Sequence, residues 1–212
     1  MFNKLQYISQ GETFEKQLYN IHQALDAGCN WIQMRFKNQT PEKRFVLSEA
    51  IKILCEEYVA NFIVNDDVLL AQKIDADGVH LGITDMNISE ARAILGDRKI
   101  IGATANTFED IVFQYKNGCD YIGLGPFQFT ETKEKLSPVL GTEGYVSILN
   151  KMKAENILTP VYAIGGITLE NTETLVKTGI HGIAVSGIIT KSLQKEELVQ
   201  QLNHKLYANV II

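Results

Sequence analysis

The sequence lacks the features that mark secreted and membrane-spanning proteins. Its only three cysteines, Cys29, Cys55 and Cys119, lie singly and without the close spacing of a zinc site, so we expect reduced, partly buried thiols. No stretch approaches the roughly 18 apolar residues of a membrane span. The N-terminus also has no basic region followed by a long apolar segment. These absences predict a cytoplasmic protein.

The chain has no excess of positive charge either. Its 20 Lys and Arg residues stand against 25 Asp and Glu, and the formal net charge is −5. Because nonspecific binding to a polyanion needs clustered Lys and Arg, nucleic acid is not an expected partner. Ser-His-Asp, Cys-His, HExxH, Walker and dinucleotide-binding patterns are missing from the sequence. Catalysis by positioning and charge stabilisation is the chemistry that remains.

What the sequence does contain is a regular alternation of short β-branched segments with longer amphipathic ones. The predicted strands are 5–9, 31–35, 61–65, 78–81, 99–104, 121–125, 160–164 and 182–186. The predicted helices are 13–27, 41–58, 68–73, 88–95, 107–117, 142–155 and 169–177. Without a linker or low-complexity stretch, this α/β pattern predicts a single (β/α)8 TIM barrel over residues 1–212. An open doubly wound sheet is the alternative.

Polar side chains follow the predicted strands, at the end of the barrel where active sites lie. Gln33, Arg35 and Lys37 alternate with apolar residues, so all three belong to one face of their strand. Two cations and an amide at this place suit an anionic ligand. The alternative is a structural ion pair between Arg35 and Asp66 or another carboxylate.

Hard oxygen ligands follow the next two strands. Asn65, Asp66 and Asp67 end predicted strand three, and Asp85 follows strand four. Such groups suit Mg²⁺ held by one or two carboxylates, waters and substrate phosphates. The alternatives are a helix cap for Asp67 and a turn for Asp85. His80, in an apolar strand, is expected to be a satisfied core histidine.

Three glycine-rich stretches, 123–133, 163–167 and 182–187, run from within strands six, seven and eight into the turns after them. Glycines let backbone N–H groups approach an anion closely, so these turns resemble phosphate-binding turns. The hydroxyl donors and the cation in them are Thr130, Thr132, Ser186 and Lys133. A solvated surface lysine is the alternative for Lys133.

Taken in order, these motifs resemble the thiamine phosphate synthase family. The matching elements are Gln33-x-Arg35-x-Lys37, Asn65-Asp66, 77–82 with Asp85, 102–104, 125–126 with 130–133, 164–167 and 184–186. The resemblance implies a TIM barrel that couples hydroxymethylpyrimidine diphosphate with hydroxyethylthiazole phosphate in a dissociative substitution. Thiamine phosphate and pyrophosphate would be the products, and Mg²⁺ the cofactor.

The resemblance also implies a role for each matching residue. Gln33 would hold the aminopyrimidine. The diphosphate would be held by Arg35, Lys37, Asn65 and Lys133. The metal ligands would be Asp66 and Asp85. The thiazole phosphate would be held by Thr130, Thr132, Gly166 and Ser186, with Val185 also in the substrate-binding set. The catalytic set would be Arg35, Lys37, Thr104 and Lys133, with Thr104 also touching substrate.

Three positions depart from the family pattern or separate it from its relatives. Thr104 stands where the family usually has Ser, and Ile83 where it often has Gln. Thiazole tautomerase-like relatives need an acid or base and carry His where this chain has Asn106, which cannot act as a general base near neutral pH. A noncatalytic phosphate-ligand binding protein is the other alternative.

The apolar C-terminal segment 206–212 leaves two interpretations open. It covers its own barrel, which is the simpler arrangement, or it packs against a second subunit in a homodimer.

Overall fold

The predicted alternation forms a closed barrel of eight parallel strands in chain order, in a computed structural model that describes residues 2–129 and 138–208. The strands are β1 Leu5–Ile8, β2 Trp31–Met34, β3 Asn61–Asn65, β4 Gly78–Leu81, β5 Ile100–Ala105, β6 Tyr121–Leu124, β7 Val161–Ile164 and β8 Gly182–Val185. The helices are α1 Phe14–Asp26, α2 Pro41–Glu57, α3 Val68–Lys73, α4 Ile88–Leu95, α5 Phe108–Lys116, α6 Gly141–Ala154, α7 Leu169–Lys177, α8 Gly187–Lys191 and α9 Lys195–Tyr207.

Pairing of the first strand with the last closes the barrel. Tyr7 of β1 lies opposite Ile32 of β2 on one side and Val185 of β8 on the other. All eight ladders are parallel, which agrees with right-handed strand–helix–strand units. The closed ring confirms the (β/α)8 barrel and excludes the open doubly wound sheet.

Local sequence signals fix several helix ends. The Thr40 side chain accepts a hydrogen bond from the Lys43 N–H, and Pro41 occupies the first helical position of α2. Thr107 and Asp110 form a capping box at the start of α5. These caps form hydrogen bonds with N–H groups that the helices themselves leave free, so they fix where α2 and α5 begin after the turns on the rim.

Aromatic side chains fill the barrel at the N-terminal ends of its strands. The Trp31 ring lies 5.1 Å from those of Tyr121 and Tyr162, measured between centroids, in edge-to-face contact. Gly102 makes room for this layer, because a Cβ at that position would lie 2.1 Å from Cζ of Tyr121. This end of the barrel is therefore closed by side chains, and the functional groups gather at the opposite end.

Most elements end within a residue of their predicted bounds, and two differences bear on the site and on the C-terminal segment. Strand β2 ends at Met34, so Arg35 lies in the following loop rather than in the strand. Helices α8 and α9 follow β8, where the (β/α)8 prediction requires a helix but the sequence pattern gave no bounds for one. Leu206 of α9 is buried in the core, and Lys4 Nζ donates to its carbonyl oxygen at 2.9 Å. The start of the C-terminal segment thus covers its own barrel, while residues 209–212 lie outside the described residues.

No helix in the described ranges 2–129 and 138–208 is long and apolar enough to cross a membrane. That residues 1–212 form a single domain stays a prediction.

The three cysteines are free and buried, more deeply than the sequence prediction of partial burial. Burial raises the pKa of the thiols of Cys29, Cys55 and Cys119 to about 12. We expect iodoacetamide at about pH 8 to label none of them in the native protein, because the thiolate is the reacting species. In denaturant all three should react. Mass spectrometry of both samples checks this, and rapid native labelling of any cysteine would contradict it.

Candidate active site

The loop after β2 and the turn after β3 bring opposite charges together on the rim. Lys37 Nζ lies 2.8 Å from Oδ2 of Asp66. Gln33 and Asn65 lie beside this pair, and Gln33 Nε2 donates to Asn65 Oδ1 at 2.7 Å. Among the described residues the Gln33 Oε1 oxygen is buried without a hydrogen-bond partner. Because an unsatisfied buried acceptor costs about 1–3 kcal/mol, a ligand amino group here would recover energy.

Asp66 adopts a backbone conformation that L-residues seldom adopt. Its φ is 67°, in the left-handed region, and its N–H donates to the His80 carbonyl oxygen at 2.9 Å. Strain of this kind persists only where surrounding contacts hold it, and it concentrates at functional sites. The turn therefore presents the Asp66 carboxylate in one defined direction.

Asp67 has a structural role, as the alternative interpretation expected. Its Oδ1 accepts from the Leu70 N–H at 3.0 Å and caps α3. Its Oδ2 pairs with Arg44 of α2 at 2.8 Å. The two neighbouring carboxylates thus differ in role, since Asp67 ties the turn to two helices and Asp66 faces the rim.

Asp85 combines a turn contact with a contact to Asp66. Its Oδ2 accepts from the Gly82 N–H at 2.7 Å, which is the turn role considered for it. Burial raises the pKa of Asp85, as does its hydrogen-bonding contact with Asp66, and the Gly82 N–H and Lys37 act in the opposite direction. Two carboxylates in contact repel each other when both are ionised. A divalent cation between them would remove that repulsion.

A substitution at Asp85 tests this repulsion. The pKa of Asp85 in the folded protein lies above the ordinary carboxyl value, so ionisation of Asp85 lowers the free energy of unfolding. This loss of stability is complete at pH values above the raised pKa and absent below the ordinary value of about 4. Asparagine keeps an acceptor for Gly82 and removes the charge. We expect Asp85→Asn to raise the Tm of the metal-free protein at neutral pH, with the difference shrinking toward about pH 4. Calorimetry in chelator checks this, with the exposed Asp97→Asn as control. An unchanged or lower Tm at neutral pH would contradict it.

Arg35 does not form the ion pair considered from the sequence. Lys37 takes the place beside Asp66, and the half-buried guanidinium of Arg35 makes no ion pair with any described residue. The reason is that β2 ends one residue earlier than predicted, so the loop path decides which cation meets the carboxylate. A cation without an ion-pair partner among the described residues is suited to an anionic ligand.

His80 and Thr104 form part of a buried hydrogen-bond chain. The two ring nitrogens of His80 lie 3.0 Å from the Tyr121 hydroxyl and 3.1 Å from the Thr104 hydroxyl. Gln6 Nε2 donates to the same tyrosine oxygen. This confirms the prediction of a satisfied core histidine. It also fixes the Thr104 hydroxyl at the C-terminal end of β5.

The turn after β7 shows the geometry of a glycine-dependent loop. Gly165 and Gly166 have φ of 91° and 67°. A Cβ on Gly166 would lie 2.8 Å from the Phe129 carbonyl oxygen and 2.8 Å from Cβ of Gln128. Only glycine lets this backbone approach the segment after β6 so closely, as a phosphate-binding turn requires.

The turn after β8 completes this side of the rim. Val185 is buried as the last residue of β8, and the Ser186 hydroxyl donates to the Ile8 carbonyl oxygen at 2.6 Å. Thr130, Thr132 and Lys133 lie outside the described residues. Their assignment rests on the sequence alone.

A cavity of about 200 Å³ lies between the loop after β2, helix α2 and the start of α3. Lys37, Asn38, Asn65 and Asp66 are among its lining residues, so it opens next to the charged turn. In the part of the chain that the structure describes, no group of three or more His, Cys, Asp or Glu side chains is placed to hold a metal ion. A metal here would rely on two carboxylates together with oxygens from substrate and water.

Sequence reasoning missed three residues that support the site. Arg44 pairs with Asp67, and Ser9 and Gln17 form hydrogen bonds with the backbone of Arg35. Gln17 lies on the face of α1 that also carries Ile21 and Ala24, and it is 1% exposed. A polar residue at helical spacing on an apolar face was the available signal. Ser9, at the end of β1, gave a weaker one.

The comparisons with known proteins agree with this geometry. The family model described as thiamine monophosphate synthase matches residues 5–189. A thiamine-phosphate synthase of Flavobacterium johnsoniae is 69% identical over 212 residues, all of both chains, and one of Flavobacterium psychrophilum is 62% identical over 97% of this chain and 100% of its own. The solved thiamine phosphate pyrophosphorylase of Pyrococcus furiosus has a TM-score of 0.83 and 33% identity, with 97% and 96% of the two chains covered. The chain therefore belongs to the thiamine monophosphate synthase family of transferases.

Proposed function

We propose that this chain couples hydroxymethylpyrimidine diphosphate with hydroxyethylthiazole phosphate, giving thiamine phosphate and pyrophosphate. The observation that carries the proposal is the ion pair between Lys37 and Asp66 in the strand-end turn, with Asp85 near enough for Asp66 to raise its pKa. A cation and two carboxylates in one place suit a metal-bound diphosphate better than a neutral ligand. The family membership supplies the identity of the substrates.

The donor chemistry of Asp66 and Asp85 fits Mg²⁺. Both are oxygen donors, and burial together with the neighbouring Asp66 raises the pKa of Asp85, so a divalent cation would favour the ionised form of both carboxylates. When bound, Mg²⁺ would neutralise charge that develops on the leaving diphosphate. Asp67 is unsuited to the same task because Arg44 and the cap of α3 occupy its oxygens.

The side chains of the protein itself would then bind the diphosphate, orient the pyrimidine and stabilise the leaving group. Arg35 and Lys37 would bind the diphosphate and stabilise its growing negative charge as the C–O bond breaks. Gln33 would offer its unsatisfied Oε1 to the amino group of the pyrimidine. The Thr104 hydroxyl, held by His80, would stand beside the diphosphate. Asn65 and Lys133 complete the proposed diphosphate set.

The thiazole phosphate would occupy the other side of the rim. The backbone at Gly166 and in the turn at Val185 and Ser186 would bind its phosphoryl oxygens, together with Thr130 and Thr132. The Ser186 hydroxyl itself donates to the Ile8 carbonyl oxygen, so Ser186 would contribute its backbone. Held there, the thiazole nitrogen would face the pyrimidine carbon that loses its diphosphate, and positioning would replace a chemical base.

A thiazole tautomerase-like activity is less well supported. It needs an acid or base, and the Asn106 amide is committed to the Gly125 carbonyl oxygen. His80 is engaged by Tyr121 and Thr104. A noncatalytic binding protein could have lost Asp66, Asp85 or Lys133, and this chain has all three.

The test is release of pyrophosphate from hydroxymethylpyrimidine diphosphate, with and without thiazole phosphate and Mg²⁺, together with detection of thiamine phosphate by mass. We expect coupled product formation that needs both substrates and the metal. Binding of thiazole phosphate without any release would favour the tautomerase or binding-protein alternatives. Failure to bind either ligand would overturn the proposal.

The proposal includes a cytoplasmic enzyme that acts on small phosphorylated molecules and binds neither nucleic acid nor membrane. A homodimer also stays a prediction, to be checked by light scattering.

A further inference from the structure

Three polar side chains are fully buried beneath the rim, between β1, the loop after it and α1. Ser9, Gln17 and Asn20 are 2%, 1% and 3% exposed. Burying such groups is unfavourable unless they form hydrogen bonds. An apolar residue at position 17 would extend the face formed by Ile21 and Ala24, so packing alone does not explain the glutamine.

The hydrogen bonds of Ser9 and Gln17 converge on the backbone of Arg35. The Arg35 N–H donates to Ser9 Oγ at 2.9 Å, and Gln17 Nε2 donates to the Arg35 carbonyl oxygen at 3.0 Å. Gln17 Nε2 also donates to the Gly11 carbonyl oxygen at 2.9 Å. Arg35 lies one residue beyond β2, and these side chains replace the sheet pairing that has ended there.

Asn20 provides a useful contrast. Its Nδ2 donates to the Gln10 carbonyl oxygen at 2.7 Å, in the same loop that Gln17 contacts at Gly11. The Asn20 side chain forms no hydrogen bond with Arg35. Asn20 therefore holds the loop after β1, whereas Gln17 links that loop to the loop after β2.

We propose that Gln17 and Ser9 are positioning residues that hold Arg35 ready to bind the diphosphate. This rests on the proposed function, in which Arg35 contacts the leaving group. Fixing the peptide groups on both sides of the Arg35 side chain removes backbone freedom before the ligand arrives. Binding then loses less conformational entropy, and the guanidinium meets the anion in a reproducible geometry.

The test compares Gln17→Met with Asn20→Leu. Each removes one buried amide at similar length, but only the first releases Arg35. Inorganic pyrophosphate with Mg²⁺ is the probe, with affinity measured by calorimetry and stability by thermal unfolding. We expect Gln17→Met to weaken pyrophosphate binding about tenfold, the size of one lost hydrogen bond to a charged ligand, and Asn20→Leu to change it less than twofold.

A double-mutant cycle separates positioning from general structure. In an Arg35→Ala background, Gln17→Met should have no further effect on pyrophosphate affinity. If Gln17→Met does not fold, Ser9→Ala takes its place in both backgrounds, with an expected loss of about threefold. Equal losses in Gln17→Met and Asn20→Leu, or an undiminished loss in the Arg35→Ala background, would overturn the positioning role. If the unaltered chain itself binds no pyrophosphate, the proposed function falls and this inference falls with it.

Discussion

We expect Asp66→Asn to lower kcat/KM for the coupling reaction by about 100-fold, the size typical of losing one charge-stabilising group from a site. Asparagine tolerates the left-handed backbone at φ 67°, so the turn after β3 keeps its conformation. What is lost is the negative charge that pairs with Lys37 and contacts Asp85. The measurement is steady-state kinetics over a series of Mg²⁺ concentrations, in which the variant should need more metal.

The matched control is Asp97→Asn, the same chemical change at an exposed position away from the charged turn. It should leave both kcat/KM and the metal dependence unchanged. Circular dichroism should show that both variants are folded. Activity of Asp66→Asn within about threefold of the unaltered protein would remove Asp66 from the metal site.

We expect Gly166→Ala to raise KM for the thiazole phosphate at least about tenfold, because its Cβ would lie 2.8 Å from the Phe129 carbonyl oxygen. The turn after β7 or the segment after β6 must shift, and the proposed phosphate site shifts with it. The left-handed φ of 67° adds strain, so we expect a loss of about 1–3 kcal/mol in the free energy of unfolding. Kinetics with varied thiazole phosphate and denaturant titrations measure the two effects.

Gly96→Ala is the control for backbone strain alone. Gly96 has a similar φ of 78°, but nothing lies within 4 Å of a Cβ built there. This variant should lose about 1 kcal/mol of stability and keep its KM. An unchanged KM in Gly166→Ala, or equal changes of KM in both variants, would show that the turn after β7 does not bind the thiazole phosphate.

The barrel itself could be predicted from the sequence because its signals are local and repeated. Each strand is a short run of β-formers, and caps such as Thr40 and Thr107 set the following helices. The bounds of helix α9 were not predicted, because Gln194 offers no side-chain cap to mark its start. The spacing of Val199, Leu202 and Leu206 was the signal that could have shown it.

Within the site, only the residues at the ends of the strands could be predicted from the sequence to lie together. Residues at these ends, such as Gln33 and Asn65, lie together as expected, because parallel strands place them on one rim. Whether Arg35 or Lys37 meets Asp66 depends on the path of a loop, which no local pattern sets. Gln17 of α1 donates hydrogen bonds to the loop after β1 and to the Arg35 carbonyl oxygen in the loop after β2. Contacts between segments so far apart in the sequence are seen only in the folded structure.

The most direct test of the central claim, that the strand-end rim holds the metal and the leaving diphosphate, is a crystal structure with Mn²⁺ and pyrophosphate recorded for anomalous scattering. We predict one Mn²⁺ peak between the carboxylates of Asp66 and Asp85, with pyrophosphate contacting Arg35 and Lys37. A metal bound away from both carboxylates, or pyrophosphate bound away from both cations, would contradict it.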